Sequence, residues 1–181
     1  MLSESGLLRL WSEIYRLTND LTPLHEDCGQ LCQSLCCQDW EPGVGLYLLP
    51  GEQLLLADAK WLTRRWHSAK HYDFPPSYGA GAWFVTCDGH CPRDWRPFSC
   101  RTFPLTPHLD QNARLQLILD EKGMPICPLI QIQAPERLQA RFRHGMHRAW
   151  RKLLGIPAIR ADVVTASEKR RRKTRGATHF L

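Results

Sequence analysis

The segment that decides the fold runs from residue 87 to residue 105 and reads Cys87-Asp-Gly-His-Cys91-Pro-Arg-Asp-Trp-Arg-Pro-Phe-Ser-Cys100-Arg-Thr-Phe-Pro-Leu105. Three cysteines fall within fourteen residues of it, and one glycine and three prolines interrupt it. Proline removes a backbone N–H donor and glycine loosens the backbone, so regular helix or sheet hydrogen bonds cannot hold the whole segment. We therefore expect another interaction to fix it, and its thiols are the groups available.

The other five cysteines of the chain lie on both sides of this segment. The candidate metal ligands are all eight cysteines: Cys28, Cys32, Cys36, Cys37, Cys87, Cys91, Cys100 and Cys127. In a reducing cytosol, clustered cysteines more often bind metal or do redox chemistry than form disulfides. An even number also permits a disulfide framework, but the adjacent pair Cys36-Cys37 and the absence of a recognisable export signal argue against it. We therefore predict that the sulfurs converge on bound metal.

Eight thiols suffice for two four-cysteine sites. Four thiolates bind zinc as a tetrahedron, and the same ligands hold iron–sulfur clusters such as 4Fe-4S, so the donor set leaves the metal open. Cys28, Cys32 and Cys36 recur every fourth residue, and on a helix each would be turned about 40° from the last. Cys37 would point about 100° away from Cys36. Either the helix ends at Cys36, or the adjacent pair serves two metal positions.

Three arginines and two histidines are further candidates near this chemistry. The charges of Arg93, Arg96 and Arg101 would offset the surplus negative charge of four thiolates on a divalent ion, unless these are ordinary surface residues. His67 and His71 are four apart, a spacing that can present two imidazoles to one metal. A solvated loop is the simpler interpretation of the two histidines.

Composition and charge indicate how the chain is divided into domains. Its 181 residues and 43% hydrophobic content predict one globular domain. Its apolar runs fall far short of the roughly 20 residues of a membrane span, and no secretory signal is visible, so we expect a cytoplasmic protein. Residues 160–181 hold seven Lys or Arg and two acids of a chain with net charge +6. We predict a cysteine-cluster domain over 1–159 and a basic, disordered tail over 160–181 that touches nucleic acid or acidic partners weakly.

Hydrophobic periodicity predicts the elements of the domain. Apolar residues at helical spacing predict helices over 5–18, over 52–62 and from Pro135 to a stop at Gly155. Short apolar runs predict strands over 44–49, 83–85 and 114–119, and a solvated loop from Thr63. The fold class is α+β: a small compact single domain with several helices around a short irregular sheet or hairpin, its loops pinned by a cysteine-bound metal centre.

The ordered cysteine pattern resembles the YkgJ-type cysteine-cluster proteins, a family described as zinc- or iron-chelating. The resemblance covers roughly residues 28–130 and is most specific at Arg96-Pro97-Phe98-Ser99-Cys100-Arg101-Thr102-Phe103-Pro104, with Cys127-Pro128 following. The first cysteines depart from the family's CxxCxxCC signature, since they are spaced CxxxCxxxCC. The resemblance implies a cysteine-bound zinc or iron–sulfur centre and leaves the cellular role undefined.

Three functions are compatible with these patterns. The first is a protein that holds zinc or an iron–sulfur cluster through its cysteines. The second is a redox or group-transfer enzyme built on an iron–sulfur centre. The third is an RNA-associated module that acts through the basic tail. The sequence leaves the substrate and the oligomeric state open.

Overall fold

The computed structural model describes residues 3–26, 28–38, 44–72, 74, 76–87 and 91–177. Its α-helices are α1 (Glu4–Thr18), α2 (Gly29–Cys32), α3 (Phe98–Thr102), α4 (Pro128–Gln131), α5 (Ala140–Leu153) and α6 (Pro157–Ala177). Its strands are β1 (Leu46–Tyr47), β2 (Leu62–Ser68), β3 (Gly81–Cys87), β4 (Leu105–Leu109) and β5 (Leu115–Leu119). Two small antiparallel sheets packed with these helices confirm the α+β prediction.

Helix α1 matches the helix predicted over 5–18. Ser3 caps it, because its side-chain oxygen accepts a hydrogen bond from the Gly6 N–H at 3.2 Å. Its apolar stripe buries Trp11 and Ile14 completely. The helix therefore supplies one wall of the core, against α5 and the turn at residues 52–54.

The larger sheet has the strand order β1-β3-β2, and all its pairs are antiparallel. The central strand β3 contains the strand predicted over 83–85 and delivers Cys87 to the start of the cysteine segment. The strand predicted over 44–49 is shorter in the structure and covers only Leu46–Tyr47. The sheet thus carries Cys87 on its central strand.

The predicted helix over 52–62 and the predicted loop after it are both wrong. One 3-10 turn covers Glu52–Leu54, and β2 begins at Leu62. β2 is an edge strand whose residues 63–66 are all exposed, so it lacks the alternation of buried and exposed residues by which a strand is recognised.

The second sheet is the hairpin of β4 and β5. Strand β5 confirms the strand predicted near 114–119, whereas β4 was not predicted. We did not predict β4 because Pro104 precedes it and Pro107 lies within it, and proline is uncommon inside a sheet. β4 pairs only with β5, so the missing N–H of Pro107 need not interrupt a central ladder.

Helix α5 carries the buried face predicted for the last helix, including Phe142, Met146 and Trp150. It begins at Ala140, because Pro135–Arg137 forms a separate 3-10 turn. No helix of the described residues is long and apolar enough to cross a membrane.

The structure differs from the predicted disordered tail over 160–181. Helix α6 spans Pro157–Ala177, so the boundary predicted at 159/160 falls inside a helix; residues 178–181 lie outside the described residues. Ile159 and Ser167 are fully buried and Val163 is 4% exposed. The Ser167 hydroxyl accepts a hydrogen bond from the Leu109 N–H at 2.9 Å, which fixes α6 against β4. Apolar residues spaced by four therefore anchor this basic segment.

A substitution in α6 tests this packing. We expect Val163→Asp to destabilise the domain by about 3 kcal/mol, because it buries an unpaired carboxylate against the core. Arg172→Ala, at an exposed position of the same helix, is the control and is expected to change stability by less than about 0.5 kcal/mol. Urea unfolding measures both changes, and equal midpoints for the two variants would contradict the packing of α6.

Candidate metal centre

The core fixes the position of Cys100 through its own helix α3. Phe98 is completely buried, and its ring lies edge-on to Trp11 at 6.0 Å and to Trp150 at 5.2 Å. The indole N–H of Trp150 also donates a hydrogen bond to the Thr102 hydroxyl at 3.0 Å. Because Phe98 and Thr102 flank Cys100, this packing orients the thiol from both sides.

A completely buried carboxylate, Glu52, supports the same helix. Its Oε1 accepts hydrogen bonds from the Tyr15 hydroxyl at 2.7 Å and from the Phe98 N–H at 2.6 Å. Its Oε2 accepts one from the Leu49 N–H at 3.1 Å. Burial raises the pKa of Glu52, and these donors oppose that shift. One side chain thus joins α1, the start of α3 and the chain after β1.

Arg101 holds the loop that precedes α3. Its guanidinium donates to the Arg96 carbonyl at 2.8 Å, to the Arg93 carbonyl at 2.9 Å and to the Tyr15 carbonyl at 3.2 Å. It also lies 4.1 Å from the centre of the Tyr15 ring. The guanidinium also donates to the Thr18 hydroxyl at 3.5 Å, so its acceptors are oxygens, and its main role is to position the loop between Cys91 and Cys100.

The three predicted arginines have different roles. Arg96 Nε donates to Cys91 Sγ at 3.4 Å, a contact of the kind expected for an arginine that offsets thiolate charge. Arg93 donates to the carbonyl oxygens of Asn19 and Leu21. It therefore ties the cysteine loop to the chain that follows α1.

The early cysteine cluster does not form the continuous helix considered from its spacing. Helix α2 ends at Cys32, Gln33 and Ser34 adopt left-handed conformations with φ of 53° and 57°, and Leu35–Cys37 forms a 3-10 turn. This break turns the sulfurs of the adjacent pair towards each other, with Cys36 Sγ 3.9 Å from Cys37 Sγ.

Cys37 faces the three cysteines of the deciding segment, and we call these four the first group: Cys37, Cys87, Cys91 and Cys100. A cavity of about 130 Å³ is lined by all four sulfur-bearing residues, by Cys36 and by apolar residues of the sheet. Burial is the largest cause that raises the pKa of the Cys100 thiol. The neighbouring sulfurs of Cys91, Cys37 and Cys87 raise it further, because a nearby negative charge disfavours a thiolate.

The other four cysteines form the second group: Cys28, Cys32, Cys36 and Cys127. The hydrogen bond with Cys37 is the largest cause that raises the pKa of Cys36, followed by burial and by the charges of Cys37, Cys28 and Cys32. Burial also raises the pKa of Cys127, and the charge of Cys32 adds to that effect. Cys36 also lines the cavity of the first group, so the two groups are adjacent at Cys36-Cys37.

The donor types fit a cysteine-bound metal, whereas the sulfur positions do not yet form a site. No group of three or more His, Cys, Asp or Glu side chains within the described ranges could hold a metal ion as it stands. Neighbouring thiols raise the pKa values of Cys36 and Cys100 without being gathered at coordination distance. Cysteine sites are seldom preformed without metal, so binding would require side-chain rotation and a local change in the 28–38 loop.

The two histidines lie away from this centre. His67 is in β2, stacked between Tyr72 at 4.0 Å and Phe84 at 4.9 Å, and its Nδ1 lies 2.9 Å from the Tyr47 hydroxyl. His71 is exposed in the following turn. Neither lines the two cavities that the cysteines line. The structure therefore gives no support to histidine ligation.

Sequence reasoning missed Glu52 and Tyr15, which position α3. Tyr15 was visible only as one more residue of an amphipathic helix, and Glu52 looked like an ordinary helical surface acid. A carboxylate next to a Pro-Gly turn gives little indication that it is buried, because such turns usually lie at the surface.

Comparison with family models, with curated proteins and with solved structures gave no match to this chain. Function is therefore inferred from the chain's own residues and from the motif resemblance.

Proposed function

We propose that this protein binds metal, zinc or an iron–sulfur cluster, through its eight cysteines. The observation that carries the proposal is the cavity that five cysteines line together: Cys36, Cys37, Cys87, Cys91 and Cys100. These residues come from separate parts of the chain, and a bound inorganic centre would account for their approach.

The surroundings of the first group favour metal binding over inert buried thiols. Its other thiols raise the pKa of Cys100, and a bound cation would remove that cost by taking the place of the proton. Leu46, Leu62 and Val85 line the same cavity and would exclude water from the metal. Arg96 supplies an N–H donor to Cys91, as ligand sulfurs commonly receive.

Bound metal would supply folding energy to the loops and, if it is an iron–sulfur cluster, a redox-active group. This chain's own residues then orient the ligands: Arg101 fixes the loop of Cys91, and Phe98 and Glu52 fix the helix of Cys100. The cavity measures about 130 Å³, whereas one molecule of liquid water occupies ~30 Å³. The cavity therefore has room for an ion or a small cluster.

Metal analysis with one variant from each group tests the proposal. Anaerobically purified protein is expected to contain zinc, or iron with visible absorption. Cys91→Ser and Cys127→Ser are each expected to lose about half of the metal, because each removes a ligand from a different group of four. The double variant is expected to lose all of it. Colourless protein with neither zinc nor iron contradicts metal binding, and complete loss in each single variant contradicts two centres.

An iron–sulfur enzyme is the second candidate. A cavity of about 280 Å³ is lined by Cys28, Cys36, Cys37 and Cys100, and Arg96 and Ser99 line it as well. Such a space beside the thiols could admit a substrate to an open ligand position. If three cysteines suffice to hold a cluster, the enzyme is favoured; if four are essential for each centre, a structural or electron-transfer role is favoured.

The basic tail remains the third candidate and is weaker. The guanidinium of Arg170 donates to the Pro107 carbonyl at 2.9 Å, and Arg171 donates to the Leu109 carbonyl. Lys173 pairs with Glu121 at 3.2 Å. Much of the basic run thus packs α6 onto the hairpin, and fewer charges are left for an independent nucleic-acid tail.

A further inference from the structure

The outer face of the three-stranded sheet is aromatic. Register places Phe84 of β3 opposite Tyr47 of β1 and opposite Arg65 of β2, and opposite residues share a face. Val85, the next residue along β3, points to the other face and is 2% exposed in the core. His67 follows Arg65 on the outer face by the same alternation. This face therefore combines rings from all three strands with an exposed arginine.

These rings form an ordered stack rather than a disordered apolar patch. The rings of Tyr72 and His67 are parallel within 3° at 4.0 Å, and those of His67 and Phe84 are parallel within 8° at 4.9 Å. Tyr72 ends the stack and is 45% exposed. Phe74 packs edge-on against Tyr47 at 5.0 Å and so extends the same surface. A flat planar group could therefore add to the exposed end of an existing stack.

The aromatic face continues into a large groove. This groove encloses about 670 Å³ between α6, α3 and the β4–β5 hairpin, and both Tyr47 and Tyr78 line it. Phe74 stacks on Tyr78 at 5.7 Å, which joins the rings of the face to the groove. One surface thus runs from Tyr72 along the sheet to α6.

Positive charge follows this surface. Four cations line the groove: Lys122, Lys169, Arg170 and Lys173. Its three carboxylates are Asp120, Glu121 and Asp162; Glu121 pairs with Lys173, and Asp162 accepts a hydrogen bond from Tyr78. Exposed Arg65 and Lys70 add two further cations at the ring stack. The surface therefore offers rings for bases and, in Lys122, Lys169, Arg65 and Lys70, cations for phosphates.

We propose that this surface, the aromatic sheet face with the α6 groove, binds single-stranded nucleic acid. Sequence-tolerant single-strand sites combine a positively charged groove with exposed rings on which bases stack. A duplex keeps its bases stacked inside and would use only the cations. An acidic polypeptide would also use the cations but has no bases to stack on Tyr72. The proposal is independent of the metal centre.

Fluorescence anisotropy with a labelled oligothymidylate of about 12 nucleotides tests it on the full-length, metal-loaded protein. We expect binding that weakens between about 50 and 200 mM salt and that is tighter than for a duplex of equal length. Tyr72→Ala is expected to weaken binding at least fivefold, whereas Tyr72→Phe, which keeps the ring, retains it. Because Tyr72 is exposed, both variants are expected to fold.

Two charge variants complete the experiment. Lys169→Gln, in the groove, is expected to lower affinity and to reduce the salt slope by about 1. Arg148→Gln makes the same charge change at an exposed position of α5 and is expected to leave binding unchanged. The proposal is overturned if duplex binds as tightly as single strand, if Tyr72→Ala binds like wild type, or if Arg148→Gln weakens binding as much as Lys169→Gln. Polyglutamate that binds with the same dependence on Tyr72 also overturns it.

Discussion

Cys100→Ser is expected to release metal from the first group and to lower the melting temperature by more than about 10 °C. Serine replaces a thiolate by a far weaker ligand, and structural zinc contributes roughly 10–16 kcal/mol to folding in small metal-dependent units. Loss of half of that energy, about 5–8 kcal/mol, gives a shift of at least about 10 °C, because 1 kcal/mol corresponds to about 2–4 °C in a domain of this size. Calorimetry with parallel metal analysis measures both effects.

Ser99→Ala is the matched control for this variant. It changes the neighbouring residue of α3 without removing a sulfur, so wild-type metal content and a melting temperature within a few degrees are expected. Wild-type protein treated with a chelator should melt at or below the temperature of Cys100→Ser, because the chelator removes the metal of both groups. Metal content and stability equal to wild type in Cys100→Ser would exclude Cys100 as a ligand.

Glu52→Gln is expected to destabilise the domain by about 2–4 kcal/mol although the two side chains have nearly the same shape. Both carboxylate oxygens accept hydrogen bonds, Oε1 from Tyr15 and the Phe98 N–H, and Oε2 from the Leu49 N–H. Glutamine must place an NH2 donor at one of these positions, opposite another donor, in a site that water does not reach.

The control makes the same chemical change at the surface. Glu13→Gln removes a carboxylate whose side chain is 43% exposed and pairs with Lys152 at 3.0 Å, and it is expected to cost less than about 1 kcal/mol. Urea unfolding compares the two variants. Equal losses of stability would show that Glu52 does not hold α1, α3 and the chain after β1 together.

The sequence predicted those elements whose side chains alternate between core and solvent. Helix α1 and the buried face of α5 follow from apolar residues at helical spacing, and β3 and β5 follow from short aliphatic runs. Strand β2 was not predicted, because its residues 63–66 are exposed at a sheet edge and show no buried face. In α6 the run of basic residues outweighed the spacing of Ile159 and Val163, which are buried against β4.

For the candidate site, the residue types indicated the chemistry, but the sequence did not show which cysteines lie together. The count and clustering of eight cysteines predict metal binding, which stays a prediction. The helix break before Cys36-Cys37 depends on the left-handed turn at Gln33 and Ser34, which neither residue type demands. The role of Arg101 was equally hidden, because its acceptors include the backbone carbonyls of Arg93 and Arg96 in an irregular loop and of Tyr15 in a distant helix.

The anchoring of helix α6 has a consequence for synthesis. Leu105 and Leu109 of the hairpin are buried, and the Leu109 N–H is hydrogen-bonded to Ser167, almost sixty residues later in the chain. A nascent chain that has reached only α5 therefore leaves part of the hairpin uncovered until α6 has emerged from the ribosome. During that interval, the newly made polypeptide would be most exposed to aggregation and to capture by chaperones.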